Sequence, residues 1–142
     1  NAAEADRFLQ EYPANLGHIK SGKLEILPGV TMTSGGVELI AGSRGVINPS
    51  IWATTTEFVL LEVLGLSRPV ITFDVGIHRE VIVNGVNGFC VKPGDFAAMA
   101  AEVHRLADEP GLAGTIGENA KELYHRLTDE ASFTPVLREI FG

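Results

Sequence analysis

The chain has 142 residues, 45% hydrophobic and 20% charged, with a formal net charge of −7. That length and composition fit one globular domain able to bury ~68% of its unfolded surface, and they exclude bulk disorder. An acidic chain with only 11 Lys and Arg residues is a poor nucleic-acid binder, and no apolar run reaches the ~18 residues that span a bilayer.

The sequence does not begin with Met, carries no signal-peptide pattern and is expected to be a piece of a longer chain. Residues 2–12 predict a short helix, with Ala5, Phe8, Leu9 and Tyr12 on one face and Pro13 ending it. Lys23–Leu27 alternates apolar and polar and predicts a strand closed by Pro28-Gly29. Ser34–Ala41 predicts a short helix capped by Ser34. Gly45–Asn48 predicts a short strand ended by Pro49-Ser50. Thr56–Leu66 is nearly all apolar and predicts a buried helix. Pro69–Phe73 is β-branched without alternation, the pattern of a strand covered on both faces in a parallel sheet.

His78–Val83 predicts one or two helical turns, and Asn84-Gly85 and Asn87-Gly88 predict turns. Phe89–Val91 is the next strand, which makes Cys90 an inert, buried thiol. A single cysteine also excludes an internal disulfide and a Cys-rich zinc site, and fits a reducing, cytoplasmic setting. Asp95 predicts the N-cap of a helix through Ala107, with Phe96, Met99, Ala100, Val103 and Leu106 on one face. Pro110 opens a further segment, and Thr128 predicts the cap of a last helix carrying Phe133, Val136, Leu137 and Ile140. Strands alternating with helices predict an α/β fold, a doubly wound, Rossmann-like parallel sheet. About four strands are visible, so the first strand or two are expected upstream of Asn1. In such sheets ligands bind beyond the carboxyl ends of the strands, which directs attention to 49–56 and 74–78.

Glu62 is the oddest residue, a carboxylate among Phe58, Val59, Leu60, Leu61, Val63 and Leu64. Burying it costs several kcal/mol unless it is paired. Either it lies on a narrow solvated stripe, or it faces a cleft and accepts hydrogen bonds from ligand hydroxyls. Thr54-x-x-Glu57 has the form of a capping box. The other reading is that this helix N-terminus holds a phosphate, against which the Glu57 charge would compete. Gly76 allows close backbone approach to a ligand, or is an ordinary turn glycine. Asp74 ends a strand but lacks the acidic partners of a phospho-acceptor site. His78, beside Arg79 and Glu80, reads as a solvated face, and His18, His104 and His125 lack metal-ligand spacing. Trp52 is expected to pack inside. Ser50 sits in no GxSxG elbow, and no GxGxxG or Walker A loop is present.

The order Asn48-Pro49-Ser50-Ile51-Trp52, Glu62, Arg68-Pro69-Val70-Ile71, Asp74-Val75-Gly76, Glu80-Val81-Ile82, Asn84-Gly85-Val86-Asn87-Gly88-Phe89 and Lys92-Pro93-Gly94-Asp95 resembles the C-terminal, donor-binding domain of the group 1 glycosyltransferases (glycosyltransferase family 4). The best match runs from 45 to 107, within a single domain spanning 1–142. The resemblance implies one half of a GT-B enzyme, lacking its first strand–helix unit and its N-terminal acceptor-binding domain. It implies retaining transfer of a sugar from a nucleoside-diphosphate sugar by a hexosyltransferase-like enzyme, with no metal or other cofactor. The piece alone is expected to be inactive, and no catalytic residue is singled out.

By the same resemblance Glu62 holds the ribose hydroxyls. Thr54, Thr55, Thr56, Glu57, Phe58 and Val59 offer groups to the sugar and diphosphate, and Val75, Gly76 and Ile77 line the same cleft. The chain departs from the family pattern at three points. Thr54 stands for the first of two glutamates, Glu57 for a glycine, and Ser67 for another glycine. No segment before Pro28 matches the family's diphosphate-binding Arg and Lys. A membrane-associated acceptor, with the full-length protein peripheral to the membrane, is compatible with this reading. Two alternatives stand beside it: a degenerate nucleotide-binding or scaffold domain, and a GT-B sugar-nucleotide epimerase.

Overall fold

The computed structural model describes residues 10–129 together with Ala3 and Arg7. The chain divides into two compact units, Asn1–Val37 and Glu38–Gly142. In the first unit, helix α1 spans Asn15–Lys20 and a π-helical turn spans Met32–Gly36. Most of the helix predicted over 2–12 lies outside the described residues.

Lys23–Leu27 is not a strand. Leu24 and Ile26 are half-buried on one side, so the alternation is real, but the segment has no ladder partner among the described residues. Alternation reports a half-buried extended chain, and a strand needs a hydrogen-bonded neighbour as well. The cap predicted at Ser34 also moves. Thr31 precedes the turn, and its N–H donates to Ser34 Oγ at 2.9 Å. Ser34 therefore acts from inside the turn. The backbone kinks at Ser34 and Gly35 before helix α2, Val37–Gly42.

The second unit is built around three parallel strands in the order β1 (Val46–Asn48), β2 (Val70–Phe73) and β3 (Phe89–Val91). Val46 pairs with Val70 and Ile71 with Phe89. Helix α3 (Phe58–Gly65) links β1 to β2, and α4 (Gly76–Val81) links β2 to β3. Two longer helices follow, α5 (Phe96–Asp108) and α6 (Leu112–Thr128).

All four residues of β2 are buried, as its unalternating composition predicts. Successive side chains of β2 serve opposite faces. Val70 joins Leu60, Val63 and Leu64 of α3 and Ala120 and Leu123 of α6. Ile71 and Phe73 join Phe89 and Val91 with Met99 and Leu106 of α5. Helices thus cover both faces, and the fold is the expected α/β, Rossmann-like parallel sheet. Asp95 caps α5, its Oδ1 accepting from the Ala98 N–H at 2.9 Å. Arg44 closes the other end of α5 by donating to the Ala107 carbonyl at 2.8 Å. Asn87 is buried; its Oδ1 accepts from the Val83 N–H at 2.8 Å, which fixes the predicted turns between α4 and β3. The last helix predicted after Thr128 lies outside the described residues. Thr128 itself ends α6, its hydroxyl donating to the Tyr124 carbonyl at 2.8 Å.

Candidate functional site

The segment 49–57 leaves the carboxyl end of β1 and delivers the chain to α3. Segment 74–75 leaves the carboxyl end of β2 and delivers it to α4. The two are fastened together by the Ile77 N–H, which donates to the Thr54 carbonyl at 2.9 Å. Gly76 makes this approach possible. Its φ is +48°, and a Cβ there would stand 2.6 Å from the Thr54 carbonyl oxygen. At Gly76 the chain's own backbone therefore makes a close approach.

The predicted capping box is absent. Helix α3 begins at Phe58, with Glu57 as an extended N-cap that makes no side-chain cap hydrogen bond. The Glu57 carboxylate turns into the molecule instead. Oε1 accepts from Asn48 Nδ2 at 2.7 Å. Oε2 lies 2.7 Å from His78 Nε2. This second contact is a close polar approach rather than an aligned hydrogen bond, and neither atom has a hydrogen-bond partner. The other ring nitrogen, Nδ1, is 2.7 Å from Thr72 Oγ1. Either atom can donate in the Thr72–His78 contact, according to the imidazole tautomer.

Four polar residues thus form one chain, Asn48–Glu57–His78–Thr72, across the ends of two strands and the starts of two helices. His78 and Thr72 are 1% and 0% exposed. His78 is no solvated face: the first turn of α4 presents it to the sheet, and Arg79 and Glu80 take the water-facing positions. The sequence held one clue to this network. Thr72 is a polar residue inside an otherwise apolar buried strand, and a buried hydroxyl needs a partner.

With its carboxylate engaged elsewhere, Glu57 leaves the N–H groups of Phe58, Val59 and Leu60 without a backbone acceptor; Leu61 N–H is the first to be bonded, to the Glu57 carbonyl. A cavity of about 310 Å3 opens beside this helix start, its lining including Thr55, Thr56, Glu57, Leu61, Ile77 and Leu127. A second groove of about 420 Å3 lies along the next turn of α3, lined by Phe58, Leu61, Glu62, Gly65, Tyr124 and Thr128. Glu62 is half-buried there and has no hydrogen bond or ion pair among the described residues. Both grooves contain Leu61, so they adjoin.

The predicted residues are therefore gathered unequally. Thr55, Thr56, Glu57 and Ile77 share the first cavity, and Phe58 and Glu62 share the second. Val59 is 47% exposed on the same helix. Thr54 contributes a carbonyl that is already used, and Val75 packs toward the α5 face of the sheet. Trp52, expected inside, is 76% exposed, as is Phe58. Asp74 is not poised for phosphoryl chemistry, because its Oδ1 accepts from Arg79 Nε at 2.9 Å. Burial pushes the Cys90 thiol up to about 11, helped by the nearby Asp74 charge. No cluster of metal-ligating side chains occurs among the described residues. No helix among them is long and apolar enough to cross a membrane.

Residues 11–109 match the family model described as glycosyl transferases group 1. The chain belongs to that family. The capsular polysaccharide biosynthesis glycosyltransferase CapM of Staphylococcus aureus is 39% identical over 64 residues, which is 45% of this chain and 17% of CapM. The sucrose-phosphate synthase of Thermosynechococcus elongatus has a TM-score of 0.77 at 20% identity, covering 96% of this chain and 34% of that one. The Anabaena HepE protein in complex with UDP has a TM-score of 0.65 at 23% identity, covering 72% of this chain and 28% of that one. HepE has also been solved with UDP-glucose. These structures share the fold, that of a GT-B glycosyltransferase half. Within this group 1 glycosyltransferase chain, all the motifs that carry the resemblance fall in the unit Glu38–Gly142.

Proposed function

We propose that this group 1 glycosyltransferase chain is the donor-binding part of a retaining enzyme that moves a sugar from a nucleoside-diphosphate sugar to an acceptor. The observation that carries the reading is the uncapped start of α3, fastened to the start of α4 at the carboxyl ends of adjacent parallel strands. Free N–H groups at the positive end of a helix suit a diphosphate. They also suit the transition state, in which negative charge grows on the leaving diphosphate while the sugar becomes oxocarbenium-like. Glu62, one turn further along, is a carboxylate with unused acceptor capacity beside an open groove, as ribose hydroxyls require. The UDP and UDP-glucose complexes of HepE, which shares the fold, support a nucleotide-sugar ligand. In this reading the reaction needs no metal, and the acceptor is held by a domain that the chain does not include. A cytoplasmic location, with the whole protein peripheral to a membrane carrying the acceptor, belongs to the same proposal.

Glu62→Ala tests it. Losing hydrogen bonds to a charged carboxylate costs about 1.5–3 kcal/mol, or roughly 10- to 100-fold in Kd. The expected outcome is that loss for the best nucleoside-diphosphate sugar, with the denaturant midpoint little changed. Unchanged affinity together with a lower midpoint would favour the degenerate scaffold reading, for which Thr54 in place of the family's first glutamate is the supporting observation.

A further inference from the structure

Glu57 stands where a carboxylate should harm an anion site. The positive end of α3 attracts it, and the N–H groups it would take are those a diphosphate needs. Yet it makes no cap hydrogen bond. Asn48 Nδ2 holds Oε1 at 2.7 Å, and His78 Nε2 stands 2.7 Å from Oε2. The imidazole cannot follow a moving carboxylate, because it is 1% exposed and its far nitrogen is engaged by Thr72 at 2.7 Å. The nearest charged neighbours on α4 do not compete for Glu57, since Arg79 is committed to Asp74 on the exposed side.

We propose that Asn48 and His78 are positioning residues that hold the Glu57 carboxylate off the first turn of α3, keeping the Phe58, Val59 and Leu60 N–H groups open for the donor's diphosphate. The inference rests on the donor-binding reading. It assigns a purpose to a buried polar chain that nothing else in that reading uses. It also explains how a glutamate is tolerated at this helix start: its charge is present but turned away. Freed from His78, the carboxylate falls back on its own helix and competes with the ligand.

A double-variant cycle on the full chain separates this from a merely structural network. UDP, GDP and ADP are titrated into wild type, and the tightest of the three is the probe. His78→Ala should weaken it about fivefold or more, the scale of a charge at a helix terminus. Glu57→Ala alone sets the reference affinity of a site without that carboxylate, and it should exceed that of His78→Ala. His78→Ala combined with Glu57→Ala should recover most of the loss, because the competitor is gone. A structural network predicts the reverse, with the double variant as weak as the single or weaker. In unliganded His78→Ala, the Val59 and Leu60 amide resonances should also move as Glu57 caps them, and return in the double variant. If His78→Ala does not fold, Asn48→Ala with and without Glu57→Ala gives the same comparison. Binding by wild type with no loss in His78→Ala or Asn48→Ala, or loss without recovery in the double variant, overturns this inference alone. No binding of any probe by wild type overturns it together with the donor-binding reading.

Discussion

Ser67 and Gly117 show how one residue constrains another across the fold. Ser67 is a non-glycine residue in left-handed backbone, φ +56°, at the turn between α3 and β2. Its carbonyl oxygen would stand 2.2 Å from a Cβ built at Gly117 of α6. Gly117→Ala should therefore destabilise by about 1–3 kcal/mol, as overpacking does, a loss visible as a lower urea midpoint. Ser67→Gly should raise that midpoint by the equivalent of about 0.5–1 kcal/mol, since glycine adopts this conformation without steric cost.

Cys90 adds a pH effect. Burial raises its folded pKa from 9.0 to about 11. The folded state thus holds the thiol proton more tightly than the unfolded chain does. Cys90 therefore contributes stability that is fully present below pH 9 and lost as pH rises toward 11. Cys90→Ala should flatten the stability-versus-pH curve across that window. Equal slopes for the two proteins would contradict the assignment.

Among the elements, those with an unambiguous chemical signal were legible in the sequence. The run of four buried β-branched and aromatic residues in β2, the short β3 and the Asp95 cap all stand where the pattern puts them. Asp95→Ala should remove the cap bond to Ala98 and cost about 1 kcal/mol, read as a fall in thermal midpoint. The illegible elements failed for physical reasons that local pattern cannot carry. Lys23–Leu27 alternates like a strand but lacks a partner among the described residues, and pairing is a long-range property. The Thr54-x-x-Glu57 spacing satisfies the capping-box rule, yet Glu57 finds better partners in Asn48 and His78 from two other elements. His78 looked solvated beside Arg79 and Glu80, because neighbours in sequence on a helix point in different directions. Trp52 looked like core by residue type, whereas it stands exposed in the segment that enters α3.

At the scale of the molecule, parallel strands carry the starts of α3 and α4 to one edge of the sheet, where such folds bind ligands. The candidate residues at that edge were legible mainly through the ordered motifs between 45 and 107, and Glu62 also through its chemistry alone. The split of the site into two adjoining grooves, and the buried chain behind the first, depend on side-chain directions that no spacing rule encodes. The chain spans 17% of CapM and 34% of the sucrose-phosphate synthase chain, so its catalytic cleft is completed by parts of a longer enzyme in the proposed reading.

The central claim is that nucleoside-diphosphate sugars bind at this edge. Amide shifts of the labelled chain during titration with UDP, GDP and ADP, and with their common sugar conjugates, test it most directly. The account predicts shifts confined to 54–62 and 75–77, saturating for one base in preference to the other two. Shifts scattered over α5 and the far side of the sheet, or silence at millimolar ligand, would contradict it.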